Sequence, residues 1–406
     1  MSGSAERVAR AGLIQLAEPN DARLAQFVER VGAVEALSAI RSASAPLPGV
    51  EHYRSRLPGL AAEATLERAA GAGVRLLIPG DLEWPTQLSD LLLPGGGGDR
   101  AAAPPLGLWA RGIGHLRLAA ARSAAIVGAR AATSYGTHVA AELAAGLCSG
   151  HGFSVFSGGA FGIDAAAHRG ALAVGGMTVA VLACGVDVPY PRGNAALFDR
   201  IIGEGLLVSE LPPGCPPSRS RFLDRNRLIA ALTPATVVVE AAARSGALNT
   251  SNWADRLGRS VLATPGPVTS ALSRGVHRQI QLGAAALVTC ADDVAQAVTS
   301  LGEQFARVGD LLAADQADRL AVRRPGDQLD PVALRVFDAL PGSGTCSLAE
   351  LGVLAGLSVE LVAQRMIQLE QLGYAEPDGD RFRLGRLVVE ARSRERSRAP
   401  GGVREA

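Results

Sequence analysis

Between residues 123 and 290 the chain holds seven short, almost unbroken apolar runs: SAAIVGA, FSVFSG, TVAVLACG, LLVSEL, ATVVVEA, SVLATPG and AALVTC. A strand with one wet face alternates polar and apolar residues, whereas a run with no polar alternate must be covered on both sides. Helical patterns stand between most of the runs, for example YGTHVAAELAAGLCSG (135–150) and SNWADRLGR (251–259), and supply that cover. The pattern predicts an α/β domain built on a doubly wound, mostly parallel sheet that closes near residue 300.

The flanks read differently. Residues 1–70 predict an N-terminal helical domain, with segments such as ARLAQFVERVGAVEALSAI (22–40) repeating apolar positions at helical spacing. The α/β domain then covers 71–300, with DLLLPGGGGDRAAAPP (90–105) as a glycine- and proline-rich surface loop. A charged linker is expected over 301–327. Residues 328–388 offer three helical segments, PVALRVFDAL, SLAELGVLAGL and SVELVAQRMIQLEQLG, and a hairpin around EPDGDRFRL, the order of a winged helix. The tail 389–406 is expected to be disordered.

With 48% apolar and 19% charged residues, the 406-residue chain has a globular composition. No apolar run reaches the roughly 20 residues of a bilayer span, so no membrane association is expected. No apolar segment follows MSGSAERVARAG, and the five cysteines are scattered without a CxxC pair, which points to reduced thiols in the cytoplasm. The sequence has no lysine, so it lacks a Walker P-loop and any phosphate contact falls to arginine.

In an open α/β sheet, ligands bind beyond the carboxyl ends of the strands. The first strand is followed by VGARAATSYG with Gly128, Arg130 and Ser134. The second is followed by SGGAFGIDAAAH, with Ser157, Gly158, Gly159 and Gly162 running into a helix. Such a turn either admits a phosphate to backbone N–H groups at a helix N-terminus or is simply tight. The fourth strand leads to SRSRFLDRNRLIAAL (218–232), expected as a loop entering a helix, with Arg219, Arg221, Arg225 and Arg227 against one Asp224. In a chain of net charge +1, this local excess of +3 suits several phosphates in a row, and Phe222 gives a flat face for an unpaired base. The alternative makes Phe222 core and the arginines a solvated edge.

Two enzyme classes compete with a binding role. The spacing GGAFG is not GxGxxG, which disfavours a dinucleotide enzyme. Asp164, Asp187, Glu210 and Glu240 fall near strand ends, where carboxylates hold metal or act as acid and base, yet no histidine–carboxylate motif accompanies them. Capping helices or pairing with arginine is the reading preferred for these four. A nucleotide-processing hydrolase of the lysine-decarboxylase-like phosphoribohydrolase group is the alternative function, but ARSGALNTSNWAD (243–255) lacks the glutamate of the PGGxGTxxE signature.

Taken in order, AIVGARAATSYG, FSGGAFGIDAAAHRGAL, GGMTVAVLACGVDVPYPRGN, SELPPG, FLDRNRLIAAL, VVVEAAARSGALNT and GRSVLATPGP resemble the DNA-processing protein A family, also called Smf. The resemblance is close over about 70–300 and looser at both ends. It implies an extended Rossmann-like core that binds single-stranded DNA without cutting it and uses no cofactor. It further implies a homodimer that delivers the strand to a RecA-type recombinase, notably in natural transformation. Carried over by position, Arg130, the Ser157-Gly158-Gly159 turn and the RFLDRN segment would contact phosphates, and Phe222 matches the aromatic before the RN pair. Arg219 stands where some relatives have lysine; Asn226 would either bond a phosphate or fix the loop. Ala129 replaces the serine of the common GSR, losing a hydroxyl. The N-terminal helices resemble the family's SAM-like or helix-hairpin-helix domain, and the C-terminal unit its winged helix.

Charge sets that last unit apart. Over 328–384 eight acids face four arginines, a net of −4. Nucleic-acid affinity rests largely on phosphate neutralisation, so this unit is expected to contact protein.

Overall fold

The computed structural model describes residues 2–92, 102–243, 245–299, 329–342, 344–386 and 388. The linker 301–327, the tail 389–406 and most of the glycine-rich stretch within 90–105 lie outside them. The chain forms two compact units, Met1–Ala306 and Arg307–Ala406.

The first unit is organised by a nine-stranded sheet: β1 Val74–Leu77, β2 Leu108–Arg111, β3 Ser123–Val127, β4 Ser154–Ser157, β5 Thr178–Val181, β6 Leu206–Ser209, β7 Ala235–Val238, β8 Ser260–Ala263 and β9 Ala286–Leu287. Their order is β1-β2-β6-β5-β4-β3-β7-β8-β9. From β6 to β9 all neighbours are parallel, while β1 and β2 add an antiparallel edge. All seven apolar runs are strands. Successive residues explain why they lack polar alternates: in β3, Ala125 and Val127 enter one core and Ala124 and Ile126 the opposite one. Likewise Val179 and Val181 of β5 face one way and Ala180 the other.

The helices Arg219–Leu232 and Gly246–Arg256 contribute Leu228–Leu232 and Trp253 to the first of these cores. The helices Ser134–His151 and Ile163–Ala173 contribute Leu143, Leu147, Ile163 and Ala167 to the other. The N-terminal helices build a core around Leu13, Leu16, Leu24, Phe27 and Ile40. Ala11, Ala62 and Ala69 of the same region share a cluster with Val74, Leu76 and Trp109 of the antiparallel edge. No described helix is long and apolar enough to cross a membrane.

The second unit has helices at Pro331–Ala339, Leu348–Ala355 and Val359–Gln371, then an antiparallel hairpin, Ala375–Asp378 with Arg381–Leu384. Each helix is started by a side-chain cap: Asp330, the Ser347/Glu350 capping box, and Ser358. Val336, Leu351, Val362, Met366 and Leu369 form its core.

Candidate nucleic-acid interface

Strand order fixes where a ligand can enter. The chain winds from β3 outward through β4, β5 and β6, then returns to place β7 on the other side of β3. Crossovers leaving β3 and β7 therefore part in opposite directions, and a crevice opens at their carboxyl ends. A cleft of about 740 Å³ lies there, lined by Gly128, Arg130, Ala160, Asp164, Tyr190, Ser218, Arg219, Phe222, Arg225, Asn226, Ser245 and Gly246 among others. Two helices present their N-termini to it, beginning after Ser218 and Ser245. The positive ends of their dipoles favour an anion.

The loops around the cleft are tightly held. Glu240, 1% exposed, accepts from Thr133 N (2.9 Å) and from Thr133 Oγ1 (2.5 Å), which fixes the turn after β3. Ala129 N donates to Glu240 O (2.7 Å), and Ile163 N to Ala129 O (3.2 Å), so the turns after β3, β4 and β7 are bonded together. Arg130 emerges from this frame exposed, with its guanidinium carbon 4.7 Å from the centre of the Phe222 ring. Tyr190 also packs beside Phe222, its ring centroid 5.7 Å from that of Phe222 and its plane tilted by 48°.

The arginine-rich stretch is a helix from Arg219 onward, which corrects the expectation of a loop and explains how its side chains part company. At 100° per residue, Arg219, Phe222, Leu223, Asn226 and Ile229 share one face, and all five line the cleft. Arg221 and Arg227 lie off that face. Arg221 bonds Glu18 (3.0 and 3.1 Å), Pro216 O (2.7 Å) and Cys215 Sγ (3.0 Å). Arg227 is fully buried in a bidentate pair with Glu210 (2.6 Å to each oxygen), and its Nε donates to Ala103 O (3.0 Å). A bidentate pair this deep holds the fold; it corrects the view of Arg227 as a phosphate contact.

Arg225 reaches the cleft floor, 7% exposed, donating to Gly158 O (2.8 Å) and to Val181 O. A Cβ on Gly158 would stand 2.4 Å from that guanidinium, so any side chain there would push Arg225 off its carbonyl partners. Burial pulls Arg225 down to about 10, with Asp164 acting against it, and the side chain stays charged near neutrality. Burial also raises Asp164, against the Arg225 charge and the N–H groups of Ala160 and Gly158. Asn226 accepts from Arg225 Nε (3.3 Å) and donates to Gly246 O and Asn249 Oδ1 (3.3 Å each), joining two walls of the cleft.

Of the remaining predicted residues, Ser157 is buried and donates to Ile126 O (2.6 Å), and buried Gly159 accepts from Asn194 Nδ2 (3.0 Å). Gly162 turns the chain into the helix Ile163–Ala173 at φ +74°, and exposed Ser134 opens the helix after β3; neither lines the cleft. Sequence reasoning missed Tyr190, Asn249 and the Ser245-Gly246 helix start. The small polar residues ending the β7 crossover were a usable signal, since their position matches that of the two glycine turns.

The four strand-end carboxylates all have structural partners. Glu240 holds Thr133, Glu210 pairs with Arg227, Asp187 accepts from Gly214 N (2.8 Å), and Asp164 accepts from Gly158 N (3.2 Å) and Ala160 N (3.4 Å). Among the described residues, no group of three or more His, Cys, Asp or Glu is arranged to hold a metal.

The comparisons with known proteins bear on this same region. Residues 75–299 match the family described as DNA recombination-mediator protein A. A Mycobacterium tuberculosis protein, provisionally named DNA processing protein DprA, is 45% identical over 376 residues, 92% of each chain. The Streptococcus pneumoniae DNA processing protein DprA is 42% identical over 181 residues, 45% of this chain and 63% of its own. The X-ray structure of DNA processing protein A from S. pneumoniae superimposes with a TM-score of 0.55 at 30% identity, covering 71% of this chain and 94% of that one. A match over more than half the chain, at the segment that builds both sheet and cleft, places this protein in the DNA recombination-mediator protein A family.

Proposed function

We propose that the cleft binds single-stranded DNA and that the protein is a non-cleaving mediator, which protects the strand and passes it to a RecA-type recombinase. The observation that carries this reading is the group at the cleft mouth: exposed Arg130 over Phe222, Tyr190 beside it, and exposed Arg219 one turn away on the Phe222 face. Arg130 and Arg219 have no ion-pair partner among the described residues, so their charge is available to phosphates. A ring stacks only on an unpaired base, which favours a single strand over a duplex. Burial of Arg225 and Arg227 limits the cation set facing a ligand to fewer groups than the sequence count. Gly128, Asn226 and the helix starts at Ser218 and Ser245 add polar groups and N–H donors to the same wall.

The other family properties belong to the same proposal: a homodimer, a cytoplasmic setting, a part in natural transformation, and a SAM-like N-terminal region. The second unit, with its three helices and hairpin, reads as a winged helix that contacts protein. Fluorescence anisotropy with oligothymidine, duplex and mononucleotide tests the central claim. Tight oligothymidine binding with the strand left intact supports it; equal or tighter duplex binding, or cleavage of the strand, refutes it.

A further inference from the structure

Aromatic residues are 4% of this chain, and most of the described ones are buried or half-buried. Among the described residues three aromatic side chains are exposed: Tyr135 (41%), Phe161 (48%) and Tyr190 (41%). They follow β3, β4 and β5 in turn, all on the carboxyl rim of the sheet. Tyr135 spends its hydroxyl on Pro265 O (2.6 Å), and Tyr190 lines the cleft. Phe161 has no such use. Burying a phenylalanine contributes about 1.5–3 kcal/mol, so folding alone gives no reason to hold one in water.

The turn that carries Phe161 is held on both sides. Asn194, 1% exposed, donates to Gly159 O (3.0 Å) and Ala160 O (3.2 Å), clipping the turn after β4 to the segment 190–194. Asp164 accepts from Ala160 N on the same turn. The edge of the Phe161 ring lies against Gly193, and exposed Arg192 precedes Gly193 in the chain, with no ion pair among the described residues. Ala160 and Tyr190 are cleft walls, so Phe161 and Arg192 stand one and two residues past them, just outside the mouth.

We infer that Phe161 and Arg192 form a second stacking subsite, which takes the next base and phosphate of the strand held in the cleft. The inference rests on the cleft reading. It combines a preset flat ring with a free cation carried one residue from the glycine that the ring touches, the pairing that non-specific single-strand sites use. Because Asn194 already orders both loops, little is lost in forming the subsite on binding.

The test uses the full chain with oligothymidines of about 6 and about 20 nucleotides, lengths that bracket common site sizes. Phe161→Ala should bind the longer strand about five- to thirty-fold more weakly and the shorter one unchanged. Its salt dependence should not move, and Phe161→Trp should restore the affinity. Arg192→Ala should lower the salt slope for the longer strand by about 0.7. Wild-type affinity of Phe161→Ala for both lengths would overturn the subsite while leaving the cleft intact. So would a Phe161→Ala defect seen only in self-association by sedimentation, which would mark a protein contact. Wild-type protein that binds neither length removes the cleft reading and the subsite together.

Discussion

Arg219 and Arg227 lie on one helix, yet their surroundings are opposite. Arg219 is exposed beside the cleft with no ion pair among the described residues; Arg227 is fully buried with Glu210 and the Ala103 carbonyl around it. The outer face of that helix carries Phe222 and Asn226 toward the cleft, and the inner face carries Leu228 and Leu232 into the core. Arginine type alone does not assign a role; its angle on the helix and the presence of an acid partner do. In the C-terminal unit the arginines of 328–384 are also engaged, though nearer the surface. There Arg335 donates to Ala355 O, Arg365 faces Asp330 (3.8 Å), Arg381 pairs with Glu350 (2.7 Å) and Arg383 with Glu376 (3.0 Å).

The contrast breaks most visibly on the inner face. Arg227→Ala leaves Glu210 without its partner at 10% exposure, which should cost about 3–5 kcal/mol of stability. Thermal or urea unfolding measures it; a loss confined to DNA affinity with unchanged stability would reverse the assignment of the two faces.

The layer beneath the cleft also predicts a pH effect. His168 is fully buried, its Nδ1 bonded to Thr178 Oγ1 (2.7 Å), and Thr178 in turn donates to Val155 O (2.8 Å). Burial holds the imidazole down to about 3, below its ordinary 6.5. The unfolded chain takes up this proton below about 6.5 and the folded chain does not, so this contribution to stability is complete above 6.5 and is lost progressively toward pH 3. Between pH 7 and 5 the loss should be about 2 kcal/mol, read from urea midpoints, and His168→Gln should flatten it.

On the outer face, Phe222→Ala should cost about 1 kcal/mol of single-strand affinity, the low end for a stacking ring because Tyr190 remains. Stability should hold, and so should the salt slope, since stacking releases no counterions. The smallest effect belongs to the C-terminal unit: a chain lacking residues 328–384 should bind oligothymidine within about 0.5 kcal/mol of the full chain, because this segment has a net charge of −4 and its arginines are engaged. A larger loss in anisotropy would show that unit contacting the strand.

Legibility of the fold followed burial. Six strands, β3 to β8, are covered along their length and could not hide their apolar runs, whereas β9 is a two-residue edge strand with Ala286 and Leu287 exposed; the capped helices of the second unit were equally plain. Strands β1 and β2 escaped because VRLL and LWAR each carry an arginine and form an antiparallel edge outside the run of alternating strands and helices. The site was legible by position more than by residue. Arg130, Arg219 and Phe222 line the cleft, whereas Arg221 and Arg227 belong to partners, Glu18 and Glu210, about 200 and 17 positions distant. Local charge counting cannot see such partners. Phe161 and Tyr190 lay in quoted segments, but exposure, the property that singles them out, exists only once the loops are folded.

Salt dependence tests the account most directly. In anisotropy titrations with oligothymidine, the plot of log K against log salt should be steep for the wild type. Replacing both Arg130 and Arg219 by alanine should lower that slope by about 1.4, close to 0.7 for each phosphate released. An unchanged slope, with the doubly substituted chain still folded, would mean that these guanidinium groups do not hold the strand.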